Sequence, residues 1–290
     1  VALNTDNLSD PSIALPTDYF EPIIYTGTGS TRTVATSFAS DLVWIKRRDG
    51  VENHVLYDTI RGGTNALRSN TTGAEGQFGD AVITFNSADF QIAGTDVSGL
   101  NGSGETQVAW VWKAGGTAST KTAGNIDGTN PTIASSVSAN TTAGFSIVFF
   151  TGSGATATVE HGLSQTPELI IFKNLPDVDD WSVYSEPVGN TAGMFLNATN
   201  APDTDSGYYN NTSPIASVFT VGSQNRTNGS SNAMIAYCFH SIEGYSKVIG
   251  FTGIVCGECV YRWNLYLHRV QTRFYNAEMH KYNRRLGARG

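Results

Sequence analysis

The 290-residue chain carries the same text twice. "DLVWIKRRD" (41–49) is answered by "ELIIFKNLP" (168–176), which sets Lys46 against Lys173, 127 residues apart. "VLYDTIRG" (55–62) and "SVYSEPVG" (182–189) keep that spacing at Tyr57 and Tyr184, as do Asn70 and Asn197. "NGSGETQVAWVW" (101–112) keeps it against "NGSSNAMIAYCF" (228–239), which pairs Trp110 with Tyr237. "YTGTGS" (25–30) returns as "FTGSGA" (150–155) and, truncated, as "FTG" (251–253). One spacing held over so long a stretch marks two copies of a module of about 100 residues, the size of a β-sandwich domain.

Within each copy the apolar runs are short and rich in Val, Ile, Phe, Tyr and Trp. "LVWIK", "VLYD", "AVITF", "VAWVW", "FSIVFF", "ELIIFK", "SVFTV" and "MIAYCF" are each bounded by Gly, Asn, Asp or Pro. Such runs read as strands joined by tight turns. Strands of this kind must stack two sheets to bury their apolar faces. The expected fold is therefore all-β: tandem antiparallel β-sandwich modules, jelly-roll-like, over residues 25–116 and 141–246. An extended N-terminal arm (1–24) precedes them, a Gly/Ser/Thr linker (117–140) joins them, and an anomalous tail (247–290) follows. The chain opens on Val1, which reads as a trimmed start with no visible signal peptide.

Charge is uneven. Of 18 Lys and Arg, seven lie in residues 260–290 beside a single acid, Glu278, so the remainder, with 11 bases and 24 acids, is strongly acidic. Such a body repels phosphate backbones, and nucleic acid is not an expected partner. No apolar run is long enough for a membrane helix, so no membrane insertion is expected. The three cysteines, Cys238, Cys256 and Cys259, are too few for a disulfide framework.

After residue 260 the composition changes. Trp263, Leu267, Val270 and Phe274 fall at helical spacing with arginines around them, which reads as a basic amphipathic helix. A basic arm for nucleic acid is a second reading. The favoured reading is a shifted reading frame over residues 254–290. One nucleotide out of frame, permitted codons yield "PGFIMLK" and "DWALV", which parallel "PELIIFK" (167–173) and "DWSVY" (180–184). Cys256 and Cys259 then have no part in a metal or redox site, which would need further ligands or a helix N-terminus.

With "YTGTGS", "DLVWIKRRD", "YDTIRG", "VAWVWKAGG", "TVEHGLSQTPELIIFKN" and "IAYCFHSIEGYSKV" in place, residues 20–253 resemble uncharacterised YTG-repeat structural proteins of tailed bacteriophages of marine and freshwater bacteria. The resemblance implies a component of the virion tail, fibre or particle surface. It implies assembly with copies of itself, as a trimer, and with other virion proteins. It brings no catalytic residues and no cofactor.

The residues themselves agree with a non-enzymatic reading. Asp177, Asp179, Asp180, Asp203 and Asp205 are candidates for the paired carboxylates of a glycan depolymerase, but all sit in turn-like stretches where Asp bonds nearby amides. His54 and His161 have no serine in a nucleophile-elbow setting. "TGTGST" has no following helix to cradle phosphate and reads as a hairpin loop. Trp44, Trp110, Trp112, Trp181, Tyr57 and Tyr184 read as core. Tyr208 and Tyr209 interrupt a loop, and with Asn210 and Asn211 are the candidate contact for a host surface glycan or protein. No metal site is expected. Capsid decoration and glycan depolymerisation are the alternatives to host attachment.

Overall fold

A computed structural model describes residues 16–94, 99–124 and 131–251. The N-terminal arm up to residue 15 lies outside the described residues. So does the tail from residue 252, with the frame-shift, helix and Cys256/Cys259 readings. After a single 3-10 turn come β1 (Phe20–Thr26), β2 (Arg32–Ala35), β3 (Leu42–Arg47), β4 (Val55–Asp58), β5 (Leu67–Arg68), β6 (Val82–Phe85), β7 (Asp89–Ala93) and β8 (Thr106–Trp112). β9 (Ser119–Lys121) and β10 (Ser135–Asn140) follow. The second copy then supplies β11 (Phe145–Thr151), β12 (Ala157–Glu160), β13 (Leu169–Asn174), β14 (Ser182–Ser185), β15 (Ala192–Phe195), β16 (Asp203–Thr204), β17 (Val218–Val221), the one-turn α1 (Asn225–Asn228) and β18 (Ala233–Phe239).

The chain is all-β and antiparallel, and the repeat reappears in its strand pairing. β3 pairs with β8 through Leu42↔Trp112 and Lys46↔Val108, while β13 pairs with β18 through Leu169↔Phe239 and Lys173↔Ile235. Each pair differs from its counterpart by 127. β4 with β5 and β14 with β15 do the same, through Val55↔Arg68 and Ser182↔Phe195. β1 on β8 and β11 on β18 are related by 125 in the first strand, through Phe20↔Trp112 and Phe145↔Phe239, because the second copy gains two residues before β13. A slip of one residue would turn every side chain to the opposite face, so a shared register means a shared core.

Each module is a sandwich. In module 1 the five-stranded sheet β1-β8-β3-β4-β5 faces the three-stranded sheet β2-β7-β6 across Val34, Val43, Ile45, Tyr57, Phe90, Ile92 and Val111. In module 2 the eight-stranded sheet β16-β15-β14-β13-β18-β11-β10-β9 faces the pair β12-β17 across Val148, Phe150, Ile170, Phe172, Phe219 and Val221. A third core joins the modules: Phe20, Leu42, Leu56, Leu67 and Trp112 from one pack with Phe145, Ile147, Leu169, Ile171, Val183 and Tyr237 from the other. The large sheets are therefore covered on both faces. That is why β3 and β13 read as continuous apolar runs although antiparallel strands with one wet face would alternate. β13 is buried at all six positions.

Two expectations change. The stretch 117–140 is more than a linker, since β9 and β10 within it extend the second module's sheet. Module 1 begins at Phe20 rather than residue 25, because β1 includes the residues before the YTG motif.

The join between modules also holds a buried ion pair. Arg61 Nε lies 2.6 Å from Asp58 Oδ2, with both side chains out of water, and Arg61 Nη1 lies 3.0 Å from Glu75. Tyr237 of module 2 donates its hydroxyl to Asp58 Oδ2 at 2.8 Å. The backbone N–H groups of Ile60 and Arg61 donate to Asp58 Oδ1, so the carboxylate is fully engaged. Burial works against the Arg61 charge, yet Asp58, Tyr237 and Glu75 raise its pKa above the ordinary value.

Candidate functional site

The repeated motifs turn out to hold the frame. Asn101 and Asn228 are wholly buried beneath the YTG loops. Asn101 Oδ1 accepts the Thr28 N–H at 2.9 Å and its amide donates to Ser30 O at 2.6 Å. Asn228 repeats this with the Ser153 N–H at 2.7 Å and Ala155 O at 2.6 Å. The glycines are required by the same approach: a Cβ at Gly27 would lie 2.1 Å from Gly102 O, and one at Gly152 would lie 2.2 Å from Gly229 O. The loop expected to be a hairpin connection instead carries the chain from one sheet of the sandwich to the other, β1 to β2 and β11 to β12, and is clamped from below by the NGS turn.

The paired lysines have a similar task. Lys46 Nζ donates to Arg47 O and Gly50 O. Lys173, 0 % exposed, donates to Asn174 O, Asp177 O and Asp179 O. Burial pushes its ammonium down to about 8. Asn70 Oδ1 accepts the His54 N–H, and Asn197 Oδ1 accepts the Trp181 N–H, closing the entry to β4 and β14 alike. Trp112, Trp181, Tyr57 and Tyr184 are buried and Trp44 and Trp110 pack against the shared core, as their strand positions implied.

Tyr208 and Tyr209 are not a surface platform. They are 0 % and 2 % exposed. Module 2 lacks a strand where module 1 has β6, and the two rings plug the gap. Tyr209 packs on Phe172 and Tyr184 at ring distances of 6.1 and 5.3 Å, and Tyr208 lies so close to Gly193 that a Cβ there would meet its ring at 2.8 Å. Asn210 and Asn211 are exposed, with φ of 51° and 49°. Asn tolerates this left-handed turn better than most residues, which accounts for the pair.

Beside this loop lies an open cleft of about 480 Å³, lined by Asp180, Phe195, Ala198, Asn200, Ala201, Pro202, Asp203 and Arg226. Arg226 connects its acids. Its Nε is 2.8 Å from Asp179 Oδ1 and its Nη2 is 3.3 Å from Asp180 Oδ2. Nη1 donates to the Tyr208 hydroxyl at 3.3 Å, and that hydroxyl donates to Asp203 Oδ2 at 2.9 Å. The guanidinium also lies over the Phe195 ring, 5.3 Å from its centroid. Burial, then the bond to Asp203, pushes the Tyr208 phenol up to about 12.

The loop acids are therefore bonded rather than idle. Asp177 Oδ2 accepts from Asn174, Asn225 and Asn232. Asp180 Oδ1 accepts from Asn197. Asp205 is held below the usual carboxylate range by the Gly207 N–H and then by Gln224. Asp180 and Asp203, weighed as carboxylates from sequence, share the cleft, whereas Arg226, Phe195 and Asn200 were not foreseen. Arg226 lies in the four-residue α1, and only a loop-by-loop comparison of the two copies would have singled it out.

His161 is buried at the exit of β12, its Nε2 3.0 Å from Ile215 O and its Nδ1 accepting the Leu163 N–H. Cys238 is a buried free thiol. Among the described residues no cluster of three or more His, Cys, Asp or Glu could hold a metal ion, and no helix is long and apolar enough to cross a membrane.

No curated protein and no solved structure matches the chain. Residues 15–261 do match a family model described as a domain of unknown function, DUF7483, and since that stretch spans both sandwiches, the chain belongs to this family.

Proposed function

We propose that the chain is a non-enzymatic structural component of a bacteriophage virion, on the tail, a fibre or the particle surface, where it assembles with copies of itself and other virion proteins and contributes to host attachment. The observation that carries the reading is the use made of the repeated motifs. In both copies the YTG loop, the NGS asparagine, the strand-end lysine and the turn asparagine serve backbone clamps. The two sandwiches share one core, which suits a rigid building block. The placement in a virion rests on the sequence resemblance alone.

Labelled antibody on negatively stained particles tests this. Label on the tail or fibres is the expected result. Label over the head lattice would make the chain a decoration protein, and particles without label would overturn the reading. A glycan depolymerase is the second reading, favoured by Asp180 and Asp203 lining one cleft. It requires the purified protein to release reducing ends from host polysaccharide.

A further inference from the structure

The cleft around Arg226 belongs to module 2 alone. Its rim, residues 195–203, corresponds to residues 68–76 of module 1, where the bridge Ala66↔Gly76 stands for Gly193↔Asp203. In module 1 that loop is sealed by its neighbour: Glu75 N–H donates to Leu175 O at 2.7 Å, and Trp181 Nε1 donates to Arg68 O at 3.0 Å. Phe195 stands where module 1 has Arg68, and Pro202 where it has Glu75. The duplication thus left one loop closed and the other open.

The chemistry of the open loop restricts what can enter. Asp179 and Asp180 pair with Arg226, Asp203 reaches it through the Tyr208 hydroxyl, and Asp177 stands close by; these four carboxylates outnumber Arg226 and the buried Lys173 ammonium, so an anion meets net repulsion. A cationic ligand is drawn to these carboxylates but must compete with Arg226, which already pairs with Asp179 and Asp180 and lies over Phe195. A neutral ligand rich in hydrogen-bond donors needs no such displacement. Each carboxylate oxygen accepts more than one hydrogen bond, and the Asn200 amide both donates and accepts. Ala198, Ala201 and Pro202 present small apolar surfaces against which a ring carbon can lie. The volume is within the roughly 300–1,000 Å³ of small-ligand sites.

We propose that this cleft binds a neutral saccharide, with Asp180, Asp203 and Asn200 receiving its hydroxyls, Asp180 held in place by Arg226 and Asp203 by the Tyr208 hydroxyl that Arg226 also contacts. The inference concerns the isolated chain and stands whether or not the chain is found on a virion.

The test is binding of the purified full chain to an array of neutral, sialylated and sulfated oligosaccharides, followed by titration of the best hit by saturation-transfer NMR. Ala201→Trp fills the cleft from an exposed rim position, and Asn200→Ala removes one amide without adding bulk. The expected result is binding to at least one neutral oligosaccharide. Ala201→Trp should weaken it about tenfold or more and Asn200→Ala by a smaller factor, with the melting temperature unchanged. The proposal is overturned by no binding of any neutral member at millimolar concentration, by stronger binding of anionic members, or by full binding in both variants. If Ala201→Trp lowers the melting temperature, Asn200→Ala alone decides.

Discussion

The two modules share most of their strands and differ in the missing counterpart of β6, in their exposed edges and in their loops. Among the described residues β1 ends its sheet; it carries Pro22 and leaves Ile24 65 % exposed. Its counterpart β11 has Ile147 in place of Pro22 and is covered by β10. Proline has no N–H for a further ladder and is confined to edge strands, so one substitution agrees with a free edge here and a paired one there. The loop after the fifth strand is closed in module 1 and open in module 2. Duplicated frames keep their register because any slip inverts a face, whereas loops and edges diverge at little energetic cost.

The largest effect is expected at Asp58. Asp58→Ala strands a buried guanidinium and should cost about 3–5 kcal/mol, whereas Ser185→Ala, at the same place in module 2, should cost about 1 kcal/mol or less. Urea midpoints of the two variants measure the gap, and equal shifts would mean that the ion pair is not the clamp described. The difference exists because module 2 has Val188 where module 1 has Arg61.

A titration separates the copies next. Burial pushes the His161 imidazole from 6.5 down to about 4, while module 1 has Thr36 at that place. Between those pH values the unfolded chain binds a proton that the folded chain excludes. Stability present above pH 6.5 is therefore lost as the pH falls towards 4, on the order of 3 kcal/mol from this group. His161→Gln should flatten that part of the stability curve in denaturant titrations between about pH 7 and about pH 4. An unaltered slope would place the acid sensitivity elsewhere.

The smallest effect should be at the loop clamps. Asn101→Ala leaves a loop N–H and a carbonyl without their partner, at about 1–3 kcal/mol, and Asn228→Ala, which also takes a donor from Gly222 O at 2.7 Å, should cost somewhat more. Calorimetry on the two variants checks the order, and a larger loss at Asn101 would show that the extra bond adds nothing.

Much of this frame could be read from the residues. The 127-residue spacing of Lys46 and Lys173 implied that whatever pairing one copy makes the other repeats, and β3 with β8 and β13 with β18 do so, because strands with the same apolar residues must repeat their register. Tyr208 and Tyr209 could not be placed in the same way. Whether a tyrosine pair in a loop faces water or fills a hole depends on whether a third strand is present beside β12 and β17, and nothing near residue 208 reports that. Segment 117–140 misled for a related reason: a Ser- and Thr-rich strand such as β10 looks like a linker until an open edge is there to receive it.

The sequence by itself determined the all-β class, the duplication and the turns that need glycine or asparagine, since these follow from short apolar runs, repeated spacing and local backbone preference. Tertiary structure decided that the outer faces of the two large sheets meet, that Asp58 and Arg61 are buried beside Tyr237, and that one loop is sealed while its twin opens around Arg226. Those outcomes depend on which surfaces of two nearly equivalent modules come together. That choice is made by shape and desolvation over many residues distant in the chain, and no local pattern records it.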